Sequence, residues 1–280
     1  MTLQFPHIAS RPVVGMLLCM SMALAAHGQP ADGVNVGGNS AFSKLVPAAE
    51  VEQGAAQQYA QMLNQARAKN ALAGPDHPQV RRLRAIASKI IPFANVWNER
   101  AKGWKWEVNL IEANQINAFC MPGGKIAFYS GILNQLKLTD DEVAMIMGHE
   151  IAHALREHAR ERMGKNAATG LGANLLSQVL GFGDIGQTVT QYGAQLLTLR
   201  FGREDESEAD LVGMELAARA GFNPRAGVSL WQKMAAANKG APLEWLSTHP
   251  SGNSRIAQIE ANLPKVMPLY ERAKAGKKGG

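Results

Sequence analysis

The chain has 280 residues, 46% of them hydrophobic and 19% charged, with two cysteines. This excludes a disordered, collagen-like or disulfide-scaffold chain and fits one substantial domain or two small ones. The net charge of +6, from 29 Lys and Arg against 23 acids, sits partly on Lys274, Lys277 and Lys278, and no basic stripe interleaves with aromatics, so no nucleic-acid partner is expected.

Arg11 precedes the apolar run 13–26, and no acid occurs before Asp32. A positive start, a short apolar stretch and small residues at its end predict a signal peptide over 1–28, cleaved after Ala25 or Gly28. The run falls short of the about 20 apolar residues that a membrane span needs; a retained anchor is the alternative. Leu18 before Cys19 is too large for a lipidation signal. Cleavage would leave Cys120 as the one thiol, with no internal disulfide partner.

Residues 29–47 are rich in Gly, Asn and Ala and read as a flexible linker. A domain follows over 48–264, and a basic flexible tail over 265–280. Residues 48–73 pattern as a polar helix, broken by Gly74-Pro75. A second helix is predicted over 77–98, with Val80, Leu83, Ile86, Ile90, Phe93 and Trp97 on one stripe and a kink at Pro92. Strands are predicted over 104–110, 116–120 and 125–129, the last two joined by a Pro122-Gly123-Gly124 turn.

Thr139 followed three residues later by Glu142 is a capping box, and opens a helix predicted to run to about Gly164. Residues 167–199 read as two helices around a glycine loop. Helices over 204–221 and 224–238 complete the pattern. The fold class expected is α+β, mostly helical, with a small antiparallel or mixed sheet.

The strongest chemical signal is His149-Glu150-Ile151-Ala152-His153. Side chains four apart share a helix face, so both imidazoles can ligate one zinc while Glu150 acts as base toward a zinc-activated water. A catalytic zinc needs a third protein ligand. Glu206 and Asp210 are also four apart; one can ligate while the other holds a ligand histidine by its second nitrogen. Glu208 points away on such a helix. The same acids also suit the positive end of a helix dipole.

These motifs, with Asn117-Ala-Phe-Cys-Met-Pro-Gly-Gly124 upstream and Thr248-His249-Pro250 plus Arg255 downstream, resemble the HtpX-like and CAAX-prenyl-protease family of zinc metalloendopeptidases. The resemblance covers about residues 75–265 and is nearest to its periplasmic and mitochondrial-type members. It implies a zincin-like fold and one Zn2+ per chain held by His149, His153 and Glu206. It also implies Glu150 as general base and Asp210 as partner of a ligand histidine. His249 would stand near the metal, as oxyanion donor or fourth ligand, with Arg255 fixing that loop or helping the oxyanion.

The strand before the metal helix, with Asn117, Gly123 and Gly124 along its edge, is expected to bind extended or unfolded polypeptide by strand addition. The function expected is a secreted or periplasmic endopeptidase acting on misfolded or envelope proteins, membrane-associated at most without multiple spans. The alternative is a latent peptidase-fold chaperone or assembly factor working with envelope assembly machinery. Glu157, His158, Cys120, Trp231 and Trp245 are expected to have no part at the metal.

Overall fold

The computed structural model describes residues 32–169, 196, 199–238, 243–249 and 254–276. The predicted signal peptide and most of the predicted helix pair over 167–199 lie outside the described residues. The fold is mostly helical with one three-stranded mixed sheet.

Helix α1 (Ala48–Ala68) and helix α2 (Pro78–Ile90) precede the sheet. His77 caps α2 and Pro78 occupies its first turn, where a missing N–H costs nothing. The α2 stripe is buried at Val80, Leu83, Ile86 and Ile90. The predicted helix to residue 98 ends earlier. Pro92 lacks the N–H that would continue the α-helical ladder, and the chain tightens into a 3-10 turn, Ile91–Val96.

Strands β1 (Glu107–Ile111), β2 (Ala118–Met121) and β3 (Lys125–Tyr129) take the order β1-β3-β2, with β3 parallel to β1 and antiparallel to β2. Alternation sends Ile126 and Phe128 to the main core and Ala127 to the α1 side, where it meets Tyr59 and Leu63. The central strand is therefore covered on both faces, as its apolar run requires. Gly124 closes the β2–β3 turn at φ 78, and a Cβ there would lie 2.7 Å from the Trp106 ring.

Helix α3 (Ser130–Gln135) leads to helix α4 (Asp140–Leu155), whose Thr139–Glu142 capping box is formed in both directions. Ser229 and Lys233 also bind the Glu142 carboxylate. The predicted single helix to Gly164 is two. Glu157 takes the left-handed conformation (φ 59), and helix α5 (His158–Ala168) leaves in a new direction.

Helices α6 (Arg203–Arg219), α7 (Ala226–Ala237), α8 (Glu244–Thr248) and α9 (Ser254–Gly276) follow. Residues read as linker and tail join this core. Val34 is buried, its amide donating to the Glu215 carboxylate at 2.7 Å, and Val266 and Leu269 bury one face of α9. Val34 is a lone apolar anchor with no periodic signal, whereas Val266 and Leu269 continue the helical stripe of Ile259 and Leu263 past the predicted boundary at 264. Among the described residues no helix is long and apolar enough to cross a membrane.

Candidate metal centre

Two glycines set the geometry. Helices α4 and α6 cross where Gly148 meets Gly213: a Cβ on Gly148 would stand 2.5 Å from the Gly213 carbonyl oxygen, and one on Gly213 2.5 Å from the His149 amide nitrogen. With no side chains between them the backbones touch, and α6 lays Glu206 and Asp210 against the two histidines of α4.

His149 and His153 direct their Nε2 atoms at one point, 3.0 Å apart. Glu206 Oε2 lies 3.6 Å from His149 Nε2, and Oε1 lies 3.4 Å from His153 Nε2. His249, just past α8, brings a fourth donor, and all four donor atoms lie within 4.8 Å of one another. All four residues are buried. Glu206 Oε1 and His249 Nε2 have no hydrogen-bond partner among the described residues.

The donors fit a metal. A tetrahedron with bonds of about 2.0–2.1 Å has edges of about 3.3 Å, close to the spacing of the His149, His153 and Glu206 donors. Buried polar atoms normally find partners, and a cation at this point would satisfy both orphaned atoms. Burial, with the positive groups around it, holds His153 well below its ordinary value, so its ring stays neutral as a ligand must. Phe201 stacks on that ring at 3.9 Å.

Asp210 Oδ1 lies 3.0 Å from His149 Nδ1. Arg255 grips Asp210 through Nε and Nη2, both at 2.6 Å, and also donates to Glu206 Oε2. The guanidinium packs 4.1 Å from the Trp231 ring. Burial pushes the Asp210 carboxyl up, but Arg255 and His149 outweigh it and bring it down to about 2. Burial raises Glu206, and the surrounding positive groups only partly offset it.

Glu150 faces the other side of the cluster. Its Oε1 accepts a 2.7 Å hydrogen bond from Trp245 Nε1, and its Oε2 lies 3.5 Å from His249 Nε2. Trp245 and His249 stack nearly parallel, 4.8 Å apart. Trp245 is thus part of the site, against expectation; the signal for it was its spacing of four from His249, which puts both on one side of α8. Trp231 joins too, as the cover over Arg255.

Two further residues depart from expectation. His158 Nδ1 lies 2.9 Å from His153 Nδ1, and Glu208 Oε2 lies 3.0 Å from His158 Nε2. On one continuous helix, residues five apart point about 140° away from each other. The left-handed turn at Glu157 swings His158 back, and Glu208, expected to point away, meets it from α6.

A cavity of about 300 Å³ opens beside Glu150, His153 and His249. Asn117 and all of β2 line it, Cys120 included, with Met62, Tyr129, Leu196 and Phe201. The sequence-predicted edge residues divide here. Asn117 lies on the cavity, whereas Gly123 and Gly124 lie in the β2–β3 turn and do not line it; that turn's φ > 0 geometry accounts for both glycines.

Residues 77–263 match the model of Peptidase family M48. The chain is 36% identical over 188 residues to the mitochondrial metalloendopeptidase OMA1 of Arabidopsis thaliana, covering 66% of this chain and 38% of that protein. It is 32% identical over 217 residues to the OMA1 of Saccharomyces cerevisiae, covering 73% and 62%. It is 30% identical over 169 residues to a beta-barrel assembly-enhancing protease of Yersinia pestis, covering 57% and 35%. The chain thus spans less than two thirds of each of these relatives.

Proposed function

The chain belongs to peptidase family M48, and on that premise we propose that it is a zinc-dependent endopeptidase cleaving unfolded or misfolded polypeptide in the cell envelope. The observation that carries this reading is the convergence of His149, His153 and Glu206 on one buried point with the Glu150 carboxylate beside it. His149, His153 and Glu206 would hold one zinc ion. When bound, zinc polarises a peptide carbonyl and brings the pKa of water toward about 7.

The chain's own residues supply the rest. Trp245 fixes one oxygen of Glu150 and leaves the other facing His249. Burial alone would raise Glu150; His249, His149 and Trp245 keep it below its ordinary value and so ionised. The carboxylate takes a proton from the attacking water and passes it to the leaving amine. Asp210, gripped by Arg255, orients the His149 ring. An extended substrate segment adds along β2, an edge strand lining the cavity. That favours unfolded chains, since a folded substrate has no free strand to offer.

The peptidase unit in this reading takes in the described residues between 32 and 276, behind a leader over 1–28. That leader supports a periplasmic or secreted setting, and the Yersinia relative's name supports envelope assembly machinery as a partner.

A second reading is favoured by His249 alone. Its Nε2 sits within the donor cluster, where it can complete the metal's coordination and leave the enzyme latent, as a chaperone or assembly factor on a peptidase fold.

The test is casein cleavage by the protein and by Glu150→Gln, with zinc content measured on both. One zinc in each and cleavage only by the parent supports the endopeptidase. Zinc in both without cleavage supports latency, and His249→Ala should then release activity. Absence of zinc from the parent overturns both readings.

A further inference from the structure

Each proposed ligand histidine has a second ring nitrogen, and the two are held differently. His149 Nδ1 meets a carboxylate directly, Asp210. His153 Nδ1 meets another imidazole, His158, and a carboxylate only beyond it, Glu208. We infer that His158 and Glu208 are positioning residues that fix the tautomer and ring plane of His153 for the metal. This rests on the metal reading above and extends it to residues that neither the motif nor its spacing points to.

The hydrogen positions follow from the donor inventory. His153 Nε2 faces His149 Nε2 and Glu206, so a ligating His153 must keep its lone pair there and carry its hydrogen on Nδ1. That N–H needs an acceptor, and among the described residues His158 Nδ1 stands in that position at 2.9 Å. His158 accepts through Nδ1 and so presents its Nε2 hydrogen to Glu208 Oε2, 3.0 Å away. Any other placement sets two hydrogens or two lone pairs against each other.

The far end of the relay is anchored. Arg156 Nε donates to Glu208 Oε1 at 2.5 Å, and its Nη2 donates to the Gly37 carbonyl at 3.0 Å. His158 is 1% exposed, so water does not substitute for it. The arrangement parallels the other ligand's, where Arg255 clamps Asp210. In both, a guanidinium fixes a carboxylate and the carboxylate fixes a ring. The left-handed turn at Glu157 serves this purpose by returning His158 to His153.

The test is zinc affinity by chelator competition on the parent, His158→Phe, His158→Asn and Glu208→Gln, with cobalt-substituted visible spectra as a signature of ligand geometry. Phe keeps the ring's bulk and removes the acceptor. Asn places an oxygen near the Nδ1 position and restores it. Removing an outer partner of a metal ligand costs about 10–100-fold in affinity, so His158→Phe should lose that much with an altered cobalt spectrum. His158→Asn should recover most of the loss, and Glu208→Gln, at a partly exposed site, should lose several-fold.

If His158→Phe and Glu208→Gln bind zinc like the parent, the inference is overturned. If Asn is as weak as Phe, restoring an acceptor does not restore the site, which also overturns it. A parent that binds no zinc overturns the metal reading itself, a result distinguishable from both.

Discussion

Gly148 and Gly213 are in backbone contact, each occupying the space a neighbouring Cβ would need. Gly148 immediately precedes His149, so the tightest point of the α4–α6 crossing lies beside the first proposed ligand. Helix packing and the geometry of the His149, His153 and Glu206 cluster are therefore one constraint.

Gly213→Ala should force the helices apart and pull Glu206 and Asp210 from the histidines. Overpacking of a close contact costs about 1–3 kcal/mol. Urea unfolding should report that loss, and chelator competition a weakened metal site. Unchanged affinity would mean that the cluster tolerates a wider crossing.

Trp245→Phe should keep the stacking on His249 and lose the hydrogen bond to Glu150. Hydrogen bonds to charged groups are worth about 1.5–3 kcal/mol, so casein turnover should fall about 10- to 100-fold with zinc content intact. Loss of zinc instead would assign Trp245 to the integrity of the metal site.

Arg255→Met should leave two buried carboxylates, Glu206 and Asp210, without their cation. Breaking a buried pair from one side costs about 3–5 kcal/mol. The measurement is denaturant unfolding of metal-free protein; a cost below about 1 kcal/mol would show that those carboxylates rearrange or take up protons cheaply.

Zinc should raise the melting temperature of the protein stripped by chelator. Binding to the folded state alone adds about 2.7 kcal/mol at 100 times Kd. His149→Ala should abolish the rise, as followed by calorimetry.

Glu142 should govern part of the acid sensitivity, away from the metal. Burial pushes its carboxyl up, but Lys233, the Thr139 amide and Ser229 outweigh it and leave it below its ordinary 4.5. A lowered folded pKa stabilises above the unfolded value and is lost as pH falls through the folded one. Stability should thus drop as pH falls below about 4.5. Glu142→Gln should lower stability at pH 7 and flatten that drop, in unfolding curves collected from pH 7 to 3.

Much of this is legible in the sequence alone. The capping box at Thr139 and Glu142 is local, its two hydrogen bonds spanning three residues, so sequence spacing suffices to state it. The α2 stripe and the three strands were equally local, since their periodicity records which face is buried. The helix break at Glu157 was not legible. A non-glycine residue at positive φ carries no compositional mark, and the reward for it, the His153–His158 contact, exists only once α5 has turned back. The roles of Trp245 and Glu208 are hidden from the sequence for the same reason: their partners are 95 and 50 residues away.

By itself the sequence determined the chemistry on offer: two imidazoles and a carboxylate at helical spacing, and an acidic pair downstream at the same spacing. Spacing within a helix fixes direction, because the backbone there is rigid. Only the tertiary structure decided which acid faces the histidines and what holds their second nitrogens. Those outcomes depend on how closely two helices approach, and that distance is set by Gly148 and Gly213, two residues whose effect lies in the side chains they lack.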